Sequence, residues 1–217
     1  MKPLPVIIGL DAYMGDTGKA ARLAEEACSL VSGFKIGLPN LLANPNGWRK
    51  LREACKPALL VADLKLADIG YTMKLVSSHV VEWADAVIAH AFPGIKGALD
   101  ELKEYLDGLG KKLVLVVAMS NPGAQETMDP LLDKLIEIAS RIEAWGIVAP
   151  ATRPHLITRA RQLYHGAILA PGIGAQGAKP GTAIKAGADY EIIGRTITST
   201  GNPLETLTKL ATHYKQL

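Results

Sequence analysis

Ala58-Leu59-Leu60-Val61-Ala62-Asp63-Leu64-Lys65-Leu66-Ala67-Asp68-Ile69-Gly70 is the stretch on which the reading of this chain turns. Its apolar run, Ala58 to Ala62, is short and unbroken, as in a strand covered on both faces. Two carboxylates and an ammonium follow within six residues. Alternate side chains of a strand share a face, so Asp63 and Lys65 are expected to point one way and Leu64 the other. Asp68 falls just past the strand end, where a helix should start. Burying charge is costly unless the charges are paired, so a packed strand ending in Asp-x-Lys-x-x-Asp suggests a site. An isolated Asp-x-Lys would read as a surface salt bridge, and the rest of the chain decides between the two.

The same strand-then-helix pattern recurs on either side. Upstream, Val6 to Asp11 reads as a buried strand ending in a carboxylate. Residues 17–31 carry Ala20, Leu23, Ala24, Ala27, Cys28 and Val31 at helical spacing, with Gly33 as the stop. Phe34-Lys35-Ile36-Gly37 is a short second strand, Asn44 to Gly47 a turn and Trp48 to Cys55 a short helix. Residues 59–65 form the third strand, and a helix runs from about Ile69 to Trp83. Further strands are expected at 85–91, 113–119, 146–150, 167–170 and 190–195. Helices separate them, one spanning 129–144 with Asp129-Pro130 as N-cap and first-turn pair. Strand and helix alternate about eight times with no linker and no shift in composition. That predicts one (β/α)8 TIM barrel domain over residues 1–217. A doubly wound sheet shares the pattern, because periodicity does not report closure.

Composition narrows the function class. At 217 residues and 48% hydrophobic, the chain can bury a full core. A net charge of +3 with interspersed signs and 5% aromatic residues gives neither the basic patch nor the stacking platform that nucleic acid needs, but suits an anionic small molecule. No run approaches the roughly 20 apolar residues of a membrane helix, and Met1 to Pro5 leads into a strand without a signal-peptide pattern. A soluble cytoplasmic protein is expected. Cys28 and Cys55 form no C-x-x-C pair and lie in separate helical patterns, so reduced, half-buried thiols are expected.

Barrel sites form at the C-terminal ends of the strands. There stand Asp11, Lys35, Asp63, Lys65, Asp68, Ser120, Gln176, Gly194 and Arg195. Each has an ordinary explanation alone, such as a helix cap or a turn residue, but together they punctuate one end of most strands. Lys35, Asp63, Lys65 and Asp68 suggest an alternating charge array in which each charge is flanked by opposites. Carboxylates on either side keep Lys65 protonated, which suits a proton donor rather than a Schiff-base nucleophile. The glycine-rich run after the seventh strand and Ile193-Gly194-Arg195 suit a phosphate site, with Arg195 able to pair bidentately. Gly172-Ile173-Gly174-Ala175-Gln176-Gly177 matches G-x-G-x-x-G, but it does not follow the first strand, and Pro180-Gly181 interrupts the helix that should follow at once. His90 reads as a satisfied core histidine, since no second ligand stands at metal spacing. His79, His155, His165 and His213 read as surface residues.

With these residues assembled, the chain resembles the orotidine 5′-monophosphate decarboxylase family in its short microbial or archaeal form. The resemblance spans the chain. It rests on Asp63-x-Lys65-x-x-Asp68-Ile69 with Thr72 one turn on, Phe34-Lys35-Ile36-Gly37, Met119-Ser120-x-Pro122-Gly123-Ala124, Pro171 to Gly177 and Ile193-Gly194-Arg195. It implies conversion of orotidine 5′-monophosphate to UMP with no metal or organic cofactor. Lys65 would protonate C6 of the pyrimidine while Asp63 faces the departing carboxylate. Asp11 and Lys35 would hold the ribose and the charge network, and Ser120 would read the pyrimidine edge. Pro171 and Gln176 would contact substrate from the lid segment, with Gly194 and Arg195 on the phosphate. Asp68 and Thr72 would complete the neighbouring subunit's site in an obligate homodimer. Ala118 stands where many relatives carry an acid, a position without a catalytic role in this reading.

Two rivals remain at this level. Metal-dependent relatives that act on sugar phosphates use a carboxylate at the second strand to help hold Mg²⁺; Lys35 stands there and would repel the ion. A non-catalytic phosphate-ligand barrel would be expected to have a broken charge array, and here every member is present.

Overall fold

Eight parallel strands close on themselves in sequence order, so the closure that periodicity leaves open is settled in favour of the barrel. The computed structural model describes residues 2–216. The strands are β1 (Leu4–Gly9), β2 (Val31–Gly37), β3 (Leu59–Leu66), β4 (Ala86–His90), β5 (Lys112–Val116), β6 (Gly146–Val148), β7 (Ala167–Pro171) and β8 (Tyr190–Ile193). β1 pairs with β2 on one side, with Ile8 opposite Phe34, and with β8 on the other, with Val6 opposite Glu191. Among the described residues no sheet edge is left open.

The principal helices between and after the strands are α1 (Thr17–Ala27), α2 (Leu38–Ala43), α3 (Arg49–Ala54), α4 (Gly70–Ser78), α5 (Asp100–Gly108), α6 (Ala124–Thr127), α7 (Leu132–Arg141), α8 (Pro154–Leu163), α9 (Thr182–Lys185), α10 (Arg195–Thr198) and α11 (Pro203–Tyr214). Each longer helix turns an apolar stripe to the sheet. In α7 it is Leu132, Leu135, Ile136 and Ala139, at the spacing one helix face requires. α11 starts where Asn202 accepts from Glu205 N at 3.1 Å, with Pro203 in its first turn. The core runs between strands and helices and includes the fully buried Trp48, Phe34, Ile36 and Leu102. No helix among the described residues is long and apolar enough to cross a membrane.

Several expectations are corrected. Gly33 does not stop the first helix; it lies within β2. A Cβ at Gly33 would sit 2.2 Å from the Leu59 carbonyl oxygen, so the glycine lets β2 approach β3. Asp129 does not cap α7, whose N-cap is Leu131; its carboxylate pairs with Arg153 instead. Cys28 and Cys55 are not free thiols but a disulfide. They follow α1 and α3, two helices that pack side by side and bring their Cα atoms to 5.5 Å, a bridging distance that sequence spacing does not reveal.

Candidate active site

At the C-terminal mouth of the barrel lies a cavity of about 470 Å³. It takes in Asp11, Lys35, Asp63, Lys65, Ser120, Pro171, Gln176, Gly194 and Arg195, together with an apolar wall from Ile88, Val116, Val148 and Ile192. The wall residues come from β4, β5, β6 and β8 and face inward. Sequence reading passes over them because an apolar residue near a strand end has no chemical signature. They exclude water from one side of a polar site, which strengthens its electrostatics.

Four charges alternate in direct contact. Asp11 Oδ2 accepts from Lys35 Nζ at 2.7 Å, and Lys35 Nζ donates again to Asp63 Oδ2 at 3.0 Å. Lys65 Nζ reaches both Asp63 oxygens, at 2.7 and 2.6 Å. The other Asp11 oxygen accepts from Gly37 N at 2.9 Å. A Cβ on Gly37 would lie 2.4 Å from that oxygen, so glycine is what allows the carboxylate to close onto the backbone. Within one chain the fourth charge of this array is therefore Asp11.

Burial and charge oppose one another within this array. Burial disfavours the Lys35 ammonium, but the Asp63 and Asp11 carboxylates outweigh it and leave its pKa raised. Burial likewise disfavours the Asp63 carboxylate, and the Lys35 and Lys65 ammonium groups outweigh that, leaving its pKa lowered. The side chain of Lys35 is 11% exposed and that of Lys65 44%. One lysine is thus built into the wall while the other is open to a ligand.

Simple strand alternation does not bring Asp63 and Lys65 together. Lys65 has φ of +45°, and the pairing of β3 with β4 shifts register between Ala62 and Leu66. A non-glycine residue in the left-handed region costs about 1 to 3 kcal/mol and persists where the surroundings over-determine it. Here the kink turns the Lys65 side chain over the Asp63 carboxylate at the cavity mouth.

Asp68 and Thr72 are not brought to this cavity. The Asp68 carboxylate accepts from Ile69 N at 2.7 Å and lies exposed just before α4. Arg195 follows β8 directly and forms no ion pair among the described residues. Ser120 and Gln176 are exposed on the loops after β5 and β7. His90 is buried at the end of β4, yet its Nδ1 has no hydrogen-bond partner among the described residues, so the expectation of a satisfied histidine is corrected. Burial first, and the Lys65 charge second, lower its pKa and keep the ring neutral. Thus the β1–β3 side of the cavity carries an ammonium–carboxylate array, and the ends of β7 and β8 offer a free guanidinium beside a glycine-rich loop. The first suits proton delivery next to a developing negative charge, and the second an anionic handle.

Comparison with known proteins bears on this geometry. The family described as "Orotidine 5′-phosphate decarboxylase / HUMPS family" matches residues 4–210. The orotidine 5′-phosphate decarboxylase of Aeropyrum pernix is 49% identical over 211 residues, which cover 95% of this chain and 86% of that one. That of Thermococcus kodakarensis is 41% identical over 97% of this chain and 96% of its own. Among solved structures, the orotidine 5′-monophosphate decarboxylase of Sulfolobus solfataricus superposes with a TM-score of 0.87 at 36% identity, covering 98% of both chains. The Methanocaldococcus jannaschii enzyme of the same name, complexed with the inhibitor BMP, gives 0.88 at 29% identity, covering 100% of this chain and 99% of that one.

Proposed function

The chain belongs to the orotidine 5′-phosphate decarboxylase / HUMPS family, and on that premise we propose that it decarboxylates orotidine 5′-monophosphate to UMP without metal or organic cofactor. The observation that carries this reading is Lys35, held between Asp11 and Asp63 where a metal-dependent sugar-phosphate enzyme would need a carboxylate. An ammonium fixed there repels a divalent cation and keeps Asp63 ionised.

The reaction needs an electron pair to be accommodated at C6 as the bond to the carboxylate breaks and CO₂ leaves. With no electron sink in the protein, electrostatics and a positioned acid must do this. The substrate carboxylate sits against Asp63, and Lys65 Nζ, 2.6 Å from the Asp63 carboxylate, delivers the proton to C6. Ser120 contacts the pyrimidine edge, Asp11 and Lys35 the ribose, and Pro171 the wall beneath the base. Gly194, Arg195 and Gln176 take the phosphate, whose binding energy acts far from the reacting carbon.

In this reading the working form is a homodimer in which Asp68 and Thr72 complete the partner's site, and it acts in the cytoplasm. The surface around those two residues supports a dimer: Ile69, Tyr71, Leu75 and Phe92 are 60%, 63%, 51% and 56% exposed, an apolar patch of the kind that marks an interface.

One assay tests both parts. Loss of orotidine 5′-monophosphate absorbance should proceed at the same rate with and without chelator, and collapse under chelator would sink the cofactor-free mechanism. In the same assay, inactive Asp68→Ala and Lys65→Ala proteins should regain activity when mixed, since a mixed dimer carries one intact site. No recovery would count against the shared site.

A further inference from the structure

Glu191 is a wholly buried carboxylate, 0% exposed, for which the chemistry above has no use. It lies on β8, whose Ile192 lines the cavity, so Glu191 faces the helical layer outside the barrel. No lysine or arginine among the described residues pairs with it. Its oxygens are filled by neutral donors. Oε2 accepts from Gly181 N at 2.8 Å and from the Tyr214 hydroxyl. Oε1 accepts from Ala183 N at 2.8 Å and Ile184 N at 3.4 Å. Burial first, and Glu191 second, push the Tyr214 phenol far above its ordinary range, so it stays a donor.

Burying a carboxylate without a cation is costly, and here four donors from the loop exit, the next helix and α11 offset that cost, so the placement calls for a positional reason. Gly181 ends the loop that leaves β7 and carries Gln176. The loop closes on itself through Gly174 N to the Ala178 carbonyl at 2.7 Å and Ala178 N to the Gly172 carbonyl at 3.2 Å, so it is tied into one piece whose position is set at its two ends. Its first end is fixed by β7. Its second end is fixed by Glu191, three residues before Gly194, which directly follows the same strand. α11 adds to this grip, with Tyr214 on Glu191 and His213 Nε2 at 2.9 Å from the Pro180 carbonyl.

We infer that Glu191 is a positioning residue for substrate binding. With Tyr214 it clamps the exit of the Gly172–Gly181 loop to β8 and sets that loop at a fixed distance from Gly194 and Arg195. The inference rests on the assignment of Gln176, Gly194 and Arg195 to the substrate phosphate. It gives the C-terminal helix a role in holding the nucleotide, although it contributes no residue to the cavity.

The test is steady-state kinetics on Glu191→Gln, Tyr214→Phe, their double variant and Arg195→Ala, well below each thermal midpoint. Glutamine keeps the volume but turns one acceptor into a donor facing backbone N–H groups. Both single variants should raise KM by about five- to tenfold with kcat within about twofold, the signature of lost binding rather than lost chemistry. The double variant should be no worse than Glu191→Gln, because the two groups form one device. Unchanged KM in folded single variants, with only the thermal midpoint lowered, would overturn the inference and leave Glu191 a packing residue. Should Glu191→Gln not fold, Tyr214→Phe, which removes a single hydroxyl, decides alone. Unchanged KM in Arg195→Ala would instead overturn the phosphate assignment, and the clamp with it.

Discussion

Asp63 and Glu191 are both carboxylates withdrawn from solvent, 6% and 0% exposed, and they are compensated in different ways. Asp63 is held by two ammonium groups, one of which, Lys65, is open to the cavity. Glu191 is held by three backbone N–H groups and a phenol. Ammonium partners can exchange one anion for another, so the Asp63 environment can respond to an incoming carboxylate and to proton transfer. Backbone donors cannot leave, so the Glu191 environment fixes geometry. On the proposed reading, buried negative charge serves chemistry on the inner face of the barrel and placement on its outer face.

The sharpest way to break this contrast is at Lys65. Lys65→Ala should lower kcat by about 10³-fold or more, the upper part of the range for a positioned general acid, while the variant still binds UMP in a titration. Near wild-type turnover would remove the proton-donor role and with it the claim that the inner array is chemical.

The pH dependence of stability is a smaller effect. Asp63 titrates below its ordinary value of 3.8 because the two ammonium groups outweigh its burial. A carboxyl with a lowered folded pKa contributes stability above the unfolded value, and that contribution is lost as pH falls through the folded one. Unfolding free energy should therefore drop on acidification below about pH 4, with a slope from this group of at most about 1.4 kcal/mol per pH unit. Asp63→Asn should flatten that acid limb. An unchanged limb would mean that the lysines do not stabilise the Asp63 anion in the folded chain.

How much of this is legible in the sequence differs between the two faces. The barrel is legible because eight apolar runs alternate with helical stripes, and nine cavity residues are legible because charged or glycine-rich turns punctuate the strand ends. The Asp63–Lys65 contact is foreseen, but for an incomplete reason. Alternation alone puts the two on one face, whereas the structure turns Lys65 through a positive φ, a backbone choice no residue type announces. Glu191 is hidden for a related reason: its partners are backbone N–H groups, which every residue carries. The disulfide is hidden because cysteines 27 apart are joined by helix packing, not by a spacing motif. Gly33 misleads because glycine ends helices and also permits close strand approach.

The disulfide supplies the control that the contrast needs. It ties α1 to α3 on the outer layer, as Glu191 ties α11 to the β7 loop, but it touches neither the cavity nor the loop. Closing a chain segment of 27 residues' separation restricts the unfolded chain by about 3 to 4 kcal/mol. In a chain of this size that corresponds to a fall of about 10 °C in thermal midpoint when the link is lost. Cys28→Ala/Cys55→Ala should therefore melt earlier by about that amount and, at a temperature where it is folded, keep the wild-type KM. The comparison with Glu191→Gln then separates two kinds of outer-layer tie, since one lowers the melting temperature alone and the other weakens nucleotide binding. If the cysteine variant raised KM as far as Glu191→Gln, KM would be following general loosening of the outer layer. The buried carboxylate on β8 would then have no placement role of its own.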